Sequence, residues 1–416
     1  MMERLDVLKP SWYDRFQCKG GDCEYNCCQC WEISMSREEY RTWRKKKVVG
    51  RNAWHQTIEI FSPDKKTDTN YAKFILDEDN KCPMLTEKGL CQAQKDYGYA
   101  ILSQTCQVFP RQTHRYLDQV ECSMSLGCEK VLELLLEEKE GILLINGTKS
   151  FSPQSRYGSY TGRNERRKTP ALNSYYDIQT LCLILLQLEE ISLEDRLLLL
   201  GMAIRHMDEL IEAGKGSDIP VYMEQFIAEL EQGDILRQMQ NISADNTFSV
   251  YYSVVTGLMY LNEGDQYYGK VMNRICERLN MKTMESPEAG EGDSAFHIEK
   301  ELYHKYRDQF REWIKGKEYF LENILVSYML YANIPFKDTE KSMWENYLYF
   351  IWVYSMVKVA LSTYLEEDST EEDMIHCCSV FFRKLGHNRS LFHKVIEDFN
   401  THGNSLAHLA VLLKSC

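Results

Sequence analysis

The sequence predicts a mainly α protein: a cysteine-rich α+β metal-binding domain over 1–145, a linker or strap over 146–172, and an all-helical domain over 173–416. Three observations predict it. Ten of the fifteen cysteines fall between Cys18 and Cys128 of a 416-residue chain. The stretch NGTKSFSPQSRYGSYTGRNERRKTPAL, from Asn146 to Leu172, is rich in the Gly, Ser, Thr, Arg and Pro that interrupt regular structure. Beyond it, apolar residues recur at helical spacing to the C-terminus.

The elements follow from local signals. Ser36 with Glu39 makes a capping box before EEYRTWRKK, because the hydroxyl and the carboxylate satisfy each other's exposed backbone N–H groups. RYLDQV, Arg115 to Val120, reads as a short strand. EKVLELLLEEKE reads as a helix with Val131, Leu132, Leu135 and Leu136 on one stripe and Gly141 at its stop. Ser192 with Asp195 caps a helix through DRLLLLGMAIRHMDELIEA that Gly214 ends, and Ser369 with Glu372 repeats the signal before DMIHCCSVFFRKL. Long amphipathic segments cover Tyr319 to Tyr331 and Ser342 to Tyr364.

Composition narrows the function classes. A formal net charge of −13 argues against nonspecific nucleic-acid binding, which needs positive charge facing the phosphates. The basic runs Arg44 to Lys47 and Arg163 to Lys168 read as solvated helix faces or linker. The opening MMERLDVLKPSWYDRF carries charges and a proline where a secretory signal needs an apolar run, and no apolar stretch is long enough for a membrane span. A cytoplasmic location is expected. There, clustered cysteines are expected as thiolate metal ligands in preference to disulfides.

Zinc takes four such ligands, and so does a cubane iron–sulfur cluster, so ten candidate thiols suffice for one centre or for two. Cys23, Cys27 and Cys30 have the CxxxCxxC spacing that holds a [4Fe–4S] cluster in radical S-adenosylmethionine enzymes. Gln29 stands where those enzymes carry an aromatic residue, and the chain lacks the alternating strands and helices of their barrel. Cys182, Cys276, Cys377, Cys378 and Cys416 have no ligand-like spacing and read as core or surface residues. His387 and His393, near Arg389, do not share a helix face and make a poor metal pair.

A longer series is more informative: C-x4-C-x3-CC followed by Trp31, CP-x-LTE-x-GLC, TC-x-x-FPR and LGCEK. This series resembles the cysteine-cluster family of zinc- or iron-chelating proteins, and more closely its flagellin lysine-N-methylase branch. Tyr175 to Gly201 and Phe320 to Phe336 resemble the helical part of those methylases. The resemblance implies a cytoplasmic enzyme that carries an iron–sulfur cluster, [4Fe–4S] with zinc as the alternative, uses S-adenosylmethionine, and methylates lysine ε-amines on flagellin. No membrane or nucleic-acid partner is implied. The family pattern matches Cys18, Cys23, Cys27, Cys28, Cys82, Cys91, Cys106 and Cys128 as metal ligands. Cys30 stands where relatives show glycine, and Cys122 where they lack a thiol.

Methyl transfer to an amine is an in-line displacement that needs the lysine neutral, although its ordinary pKa of about 10.4 keeps it charged at neutral pH. No glycine-rich turn joins a strand to a helix, which argues against a Rossmann-type cofactor site. Arg111, Asp195, Arg196, Glu322 and Asn323 are the candidate cofactor-binding residues, with helix capping, loop holding and buried polar pairing as their competing use. A metal-binding docking module without chemistry is the alternative from another functional class.

Overall fold

The computed structural model describes residues 3–46, 57–151, 157–233, 235, 247–261, 265–284, 295–387 and 390–415. Lys47, Arg389, Cys416 and the side chain of His387 lie outside the described residues, so the basic run at Arg44 and the histidine pair are described in part only. The chain is mainly helical, with some sheet.

Among the described residues, ten strands form three sheets: β1 (Glu3–Pro10), β2 (Ser34–Met35), β3 (Ile58–Ile60), β4 (Ala72–Phe74), β5 (Arg111–Tyr116), β6 (Gln119–Met124), β7 (Leu144–Phe151), β8 (Ser159–Thr161), β9 (Lys282–Met284) and β10 (Ala295–His297). The largest sheet has the order β7-β1-β6-β5-β8, and a smaller one has the order β2-β4-β3. β1 runs parallel to β6, with Val7 opposite Val120, and antiparallel to β7, with Val7 opposite Gly147. The RYLDQV segment turns where a continuous strand was expected. Leu117 has φ near 51°, so β5 and β6 form an antiparallel hairpin with Tyr116 opposite Gln119.

Over its described residues the 146–172 stretch, expected as a linker or strap, carries regular structure. It completes β7 along the whole of β1, adds β8 beside β5, and continues into a short helix over Arg163–Lys168. Local composition could not show this pairing, because β1 lies more than a hundred residues upstream.

Among the described residues, the buried apolar ones form two cores. A small core gathers Ile33, Met35, Trp43, Ile58, Phe74, Met84, Ile101 and Leu102 around the three-stranded sheet. A large core runs without a break from Leu5, Val7 and Val120 of the five-stranded sheet into the helices. The strand β6 is buried from Val120 through Met124, so both its faces need partners, and the Glu318–Ala332 helix covers one of them.

The centre of the helical part is the Met343–Tyr364 helix, MWENYLYFIWVYSMVKVALSTY. It is apolar nearly all round, the pattern of a helix enclosed by others. It packs against the Leu193–Glu212, Thr247–Tyr260, Lys300–Trp313, Glu371–His387 and Leu391–His402 helices. The capping boxes at Ser36 and Ser342 are formed, and Ser192 caps the Leu193–Glu212 helix. The cap near residue 370 is shifted by one residue from the expected Ser369 and Glu372. Thr370 Oγ1 accepts from the Asp373 N–H at 3.3 Å and the Asp373 carboxylate accepts from the Thr370 N–H at 2.7 Å, while Ser369 Oγ accepts from Glu366 N–H.

Candidate functional site

Four cysteine-bearing segments meet at one cavity of about 250 Å³, lined by Cys18, Cys23, Cys27, Cys28, Cys82, Cys91, Cys106 and Cys128. These are the eight cysteines named from the sequence pattern. Cys30 and Cys122 do not line it. Cys30 adopts φ near 60°, the left-handed region that suits glycine, and its thiol faces Asp265 and Gln266 of the helical part. The CxxxCxxC trio therefore does not share one cavity. Cys122 is buried in β6 beside Tyr13.

Short polar ties bring the segments together. Gly21 packs so closely on the Lys88 carbonyl that an added Cβ would stand 2.1 Å from its oxygen, and Gly89, with φ near 69°, meets Gly21 Cα from the other side. Asn26 donates to the Gly89 carbonyl at 2.8 Å and accepts from the Cys28 N–H at 2.9 Å. The CKGGDC and KGLC loops are thus joined backbone to backbone. Trp31 donates its indole N–H to the Cys27 carbonyl and lies tilted against Phe109 of the FPR step, ring centroids 5.3 Å apart.

The third tie is electrostatic. Glu129, 2% exposed, accepts from the Tyr25 N–H at 2.8 Å and the Glu24 N–H at 3.3 Å, fixing the first loop on the Glu129–Glu137 helix. Arg383, from the Glu371–His387 helix, reaches across to the carbonyls of Tyr25 at 2.6 Å and Gly127 at 3.3 Å. Arg383 is the important residue that sequence reading missed. It lies 255 positions after Cys128, and no local signal in SVFFRKLG sets it apart.

The cavity suits soft donors with positive surroundings. Burial pushes the thiols of Cys23, Cys82 and Cys128 up to about 12 and that of Cys106 to about 11. Cys27 is held lower by the hydrogen bond from the Cys28 thiol and by the Arg383 guanidinium, and Cys28 is raised in turn by that bond and by burial. Lys19, Lys130, Arg111 and Arg383 line the same cavity, with Glu129 3.5 Å from Lys19. Among the described residues, no group of three or more thiols, imidazoles or carboxylates is drawn in tightly enough to hold a metal ion.

Arg111 opens β5 at the edge of this cavity, with its guanidinium 4.9 Å over the Phe16 ring. The other four candidates lie elsewhere. Arg196 pairs with Glu322 and donates to the Leu186 carbonyl at 3.0 Å; Asn323 donates to the carbonyls of Leu135 at 2.9 Å and Glu138 at 2.7 Å. Asp195 accepts from Lys414 at 2.5 Å and from the Ser192 hydroxyl at 2.6 Å. Each joins helix to helix or helix to loop, the use that competed with cofactor binding.

Fold and site together define an α-rich protein whose helical part supplies one wall of a thiol-lined cavity. The model of the FliB lysine N-methylase C-terminal domain matches residues 179–412, and the chain belongs to that family. It is 32% identical over 170 residues to the Flagellar biosynthetic protein FliU of Salmonella muenchen, covering 39% of this chain and 96% of that protein. It is 31% identical over 153 residues to a Lysine-N-methylase of Salmonella typhimurium and 30% identical over 148 residues to one of Salmonella choleraesuis. In both cases the match covers 35% of this chain and 36% of the relative's length. No solved structure matches the chain. Among the described residues, no helix is long and apolar enough to cross a membrane.

Proposed function

We propose that this chain methylates lysine ε-amines on the surface of flagellin with S-adenosylmethionine as methyl donor, and that its eight pocket thiols hold iron–sulfur chemistry. The observation that carries this reading is the convergence of the eight cysteines on a cavity walled by Arg383 of the matched C-terminal domain. The names of the relatives, Lysine-N-methylase and Flagellar biosynthetic protein, support the reaction class and the flagellar connection.

The donors match a cluster in kind and number, although as placed no three of them are drawn in tightly enough to hold a metal. Eight soft donors around about 250 Å³ outnumber the four ligands of one zinc, and a thiolate-bound cluster carries negative charge that Lys19, Lys130, Arg111 and Arg383 are placed to balance. To hold a cluster, these thiols would have to be deprotonated. When bound, the cluster supplies folding free energy to a loop-rich wall or a grip for the amino-carboxylate end of the methyl donor.

The chain's own residues do the rest. Arg111, at the edge, is placed to meet a carboxylate, and the faces of Tyr25, Trp31 and Phe109 suit a sulfonium. In the displacement, the S–CH₃ bond breaks as the N–CH₃ bond forms, the sulfonium becomes a thioether, and the amine proton leaves to a base or water.

The test is mass spectrometry of flagellin coexpressed with the intact chain or with Cys82→Ser. Lysines heavier by whole methylene units with the intact chain, and unmodified with the variant, are expected. Unmodified flagellin beside an intact, metal-loaded chain would reject the reading in favour of a docking module.

A further inference from the structure

We propose that a second cavity, back to back with the cysteine cavity, binds a small organic carboxylate that carries a flat ring, with Lys337 meeting the carboxylate and Gln112 donating to it. This goes beyond the methyl-transfer reading and does not depend on it.

The cavity, of about 230 Å³, lies where the five-stranded sheet meets the helices. It shares no lining residue with the cysteine cavity, yet three pairs of consecutive residues divide between the two: Arg111 and Gln112, Gly127 and Leu126, Arg383 and Phe382. On β5 the reason is the pleat, which sends neighbouring side chains to opposite faces of the strand. The same backbone thus walls two chambers.

The first observation is charge. No Asp or Glu lines this cavity, although the chain carries a formal net charge of −13. Lys337, exposed to solvent, holds its Nζ 5.6 Å from the Tyr349 ring centroid and 6.0 Å from that of Phe392. It makes no ion pair among the described residues. Desolvation lowers its pKa from the ordinary lysine value, against the pull of Asp338 beside it in sequence. Burial pushes His114, the other basic group of the wall, down to about 4, so at neutral pH it adds no charge. One cation is matched by one negative charge, which selects a carboxylate over a doubly charged phosphate.

The second observation is a polar group held ready. The Gln112 side-chain amide makes no hydrogen bond among the described residues. Its place is nevertheless fixed, because a Cβ on Gly158 would stand 2.1 Å from Gln112 Nε2 and 2.9 Å from His114 Cε1, so that only glycine leaves room for both. Beside it the wall is locked. The His114 Nε2–H donates to the Tyr331 carbonyl at 2.8 Å, and Nδ1 accepts from the Ser159 hydroxyl at 2.8 Å, whose oxygen accepts from the Asn333 amide at 3.2 Å. A ligand meets groups that are already ordered.

The third observation is the aromatic lining of Tyr328, Tyr331, Tyr349, Phe382 and Phe392. Phe382 lies tilted 5.3 Å from Tyr328, and Phe392 stands edge-on 5.1 Å from Tyr349. Rings fixed in this way offer faces and edges to a flat ring between them.

Binding of indole-3-carboxylate and of adenosine-5′-carboxylate to the full chain is measured by titration calorimetry, each beside its own carboxamide, which keeps the shape and removes the charge. At least one carboxylate should bind once per chain, and its carboxamide about tenfold more weakly, the weight of one charge-assisted contact. Lys337→Gln, at an exposed position, should weaken the carboxylate about tenfold and leave the carboxamide unchanged. Gln112→Ala should weaken both. Lys215→Gln, at an exposed position outside the cavity, should change neither. Loss of binding in Arg111→Gln but not in Lys337→Gln would put the carboxylate in the cysteine cavity and overturn the proposal. So would equal binding by the intact chain and Lys337→Gln, or no binding of either carboxylate. Should Gln112→Ala fail to fold, Lys337→Gln still decides.

Discussion

The Asn26 amide donates to the Gly89 carbonyl, and its oxygen accepts from the Cys28 N–H, so one buried side chain joins loops that are sixty residues apart in sequence. Removing it leaves a carbonyl and an N–H unpaired at the edge of a buried site, which costs about 1–3 kcal/mol per group left unsatisfied. Asn26→Ala should therefore lower the unfolding free energy by that order, read as a lower urea midpoint at unchanged slope. The effect should be larger than that of Asn70→Ala on the exposed 67–70 turn. A change no greater than at Asn70 would mean the two cysteine loops are held by their glycine contact alone.

Among the elements, the Leu193–Glu212 and Met343–Tyr364 helices are joined by an ion pair between Glu194 and Lys358, to which Tyr354 donates at 2.7 Å. Burial pulls the Glu194 carboxyl upward, but the Lys358 ammonium and the Tyr354 hydroxyl outweigh it and hold it down at about 2. Both side chains are under 20% exposed, so truncating one strands the other. Glu194→Ala should cost on the order of 3 kcal/mol. Glu194→Leu combined with Lys358→Met should recover much of that loss, because apolar residues of similar volume replace a desolvated pair at little cost. A double-mutant cycle by chemical denaturation measures both, and additive losses would show that the two charges are independent.

At the scale of the whole molecule, one core joins the five-stranded sheet to the helices, and a buried polar group sits where they meet. Glu121, 4% exposed on β6, lies 2.8 Å from the Tyr175 hydroxyl, which is also 2.7 Å from Asn333 Oδ1. The Asn333 amide is oriented by donating to the Phe336 carbonyl, so the single phenolic hydrogen is claimed by two acceptors unless Glu121 carries a proton. Burial raises its carboxyl from 4.5 to about 7 against the lowering by Tyr175. A raised folded-state pKa means stability fully present below pH 4.5 and lost as pH rises through 7. Glu121→Gln keeps a donor for Tyr175 at every pH. It should match the parent at pH 4.5 and exceed it by as much as about 3 kcal/mol at pH 8, read from denaturation midpoints. His114, the cross-strand neighbour of Glu121, is pushed by burial down to about 4 and opposes this trend. It is common to both proteins and cancels in their difference.

What the sequence determined by itself was chemistry and local order. The caps at Ser36 and Ser192 and the long apolar helices are written in short-range spacing, which needs no partner to be read, and the eight pocket cysteines were picked out by the family pattern. The cap at Thr370 was missed by one residue because Ser369 offers the same oxygen at nearly the same place. What only the tertiary structure decided was pairing at a distance. β7 and β8 emerge from a stretch with the composition of a linker, Arg383 reaches the cysteines from a helix far along the chain, and Cys30 turns away while Cys27 and Cys28 turn in. These depend on which surfaces can be buried together, and burial is a property of the assembled chain that no window of neighbouring residues contains.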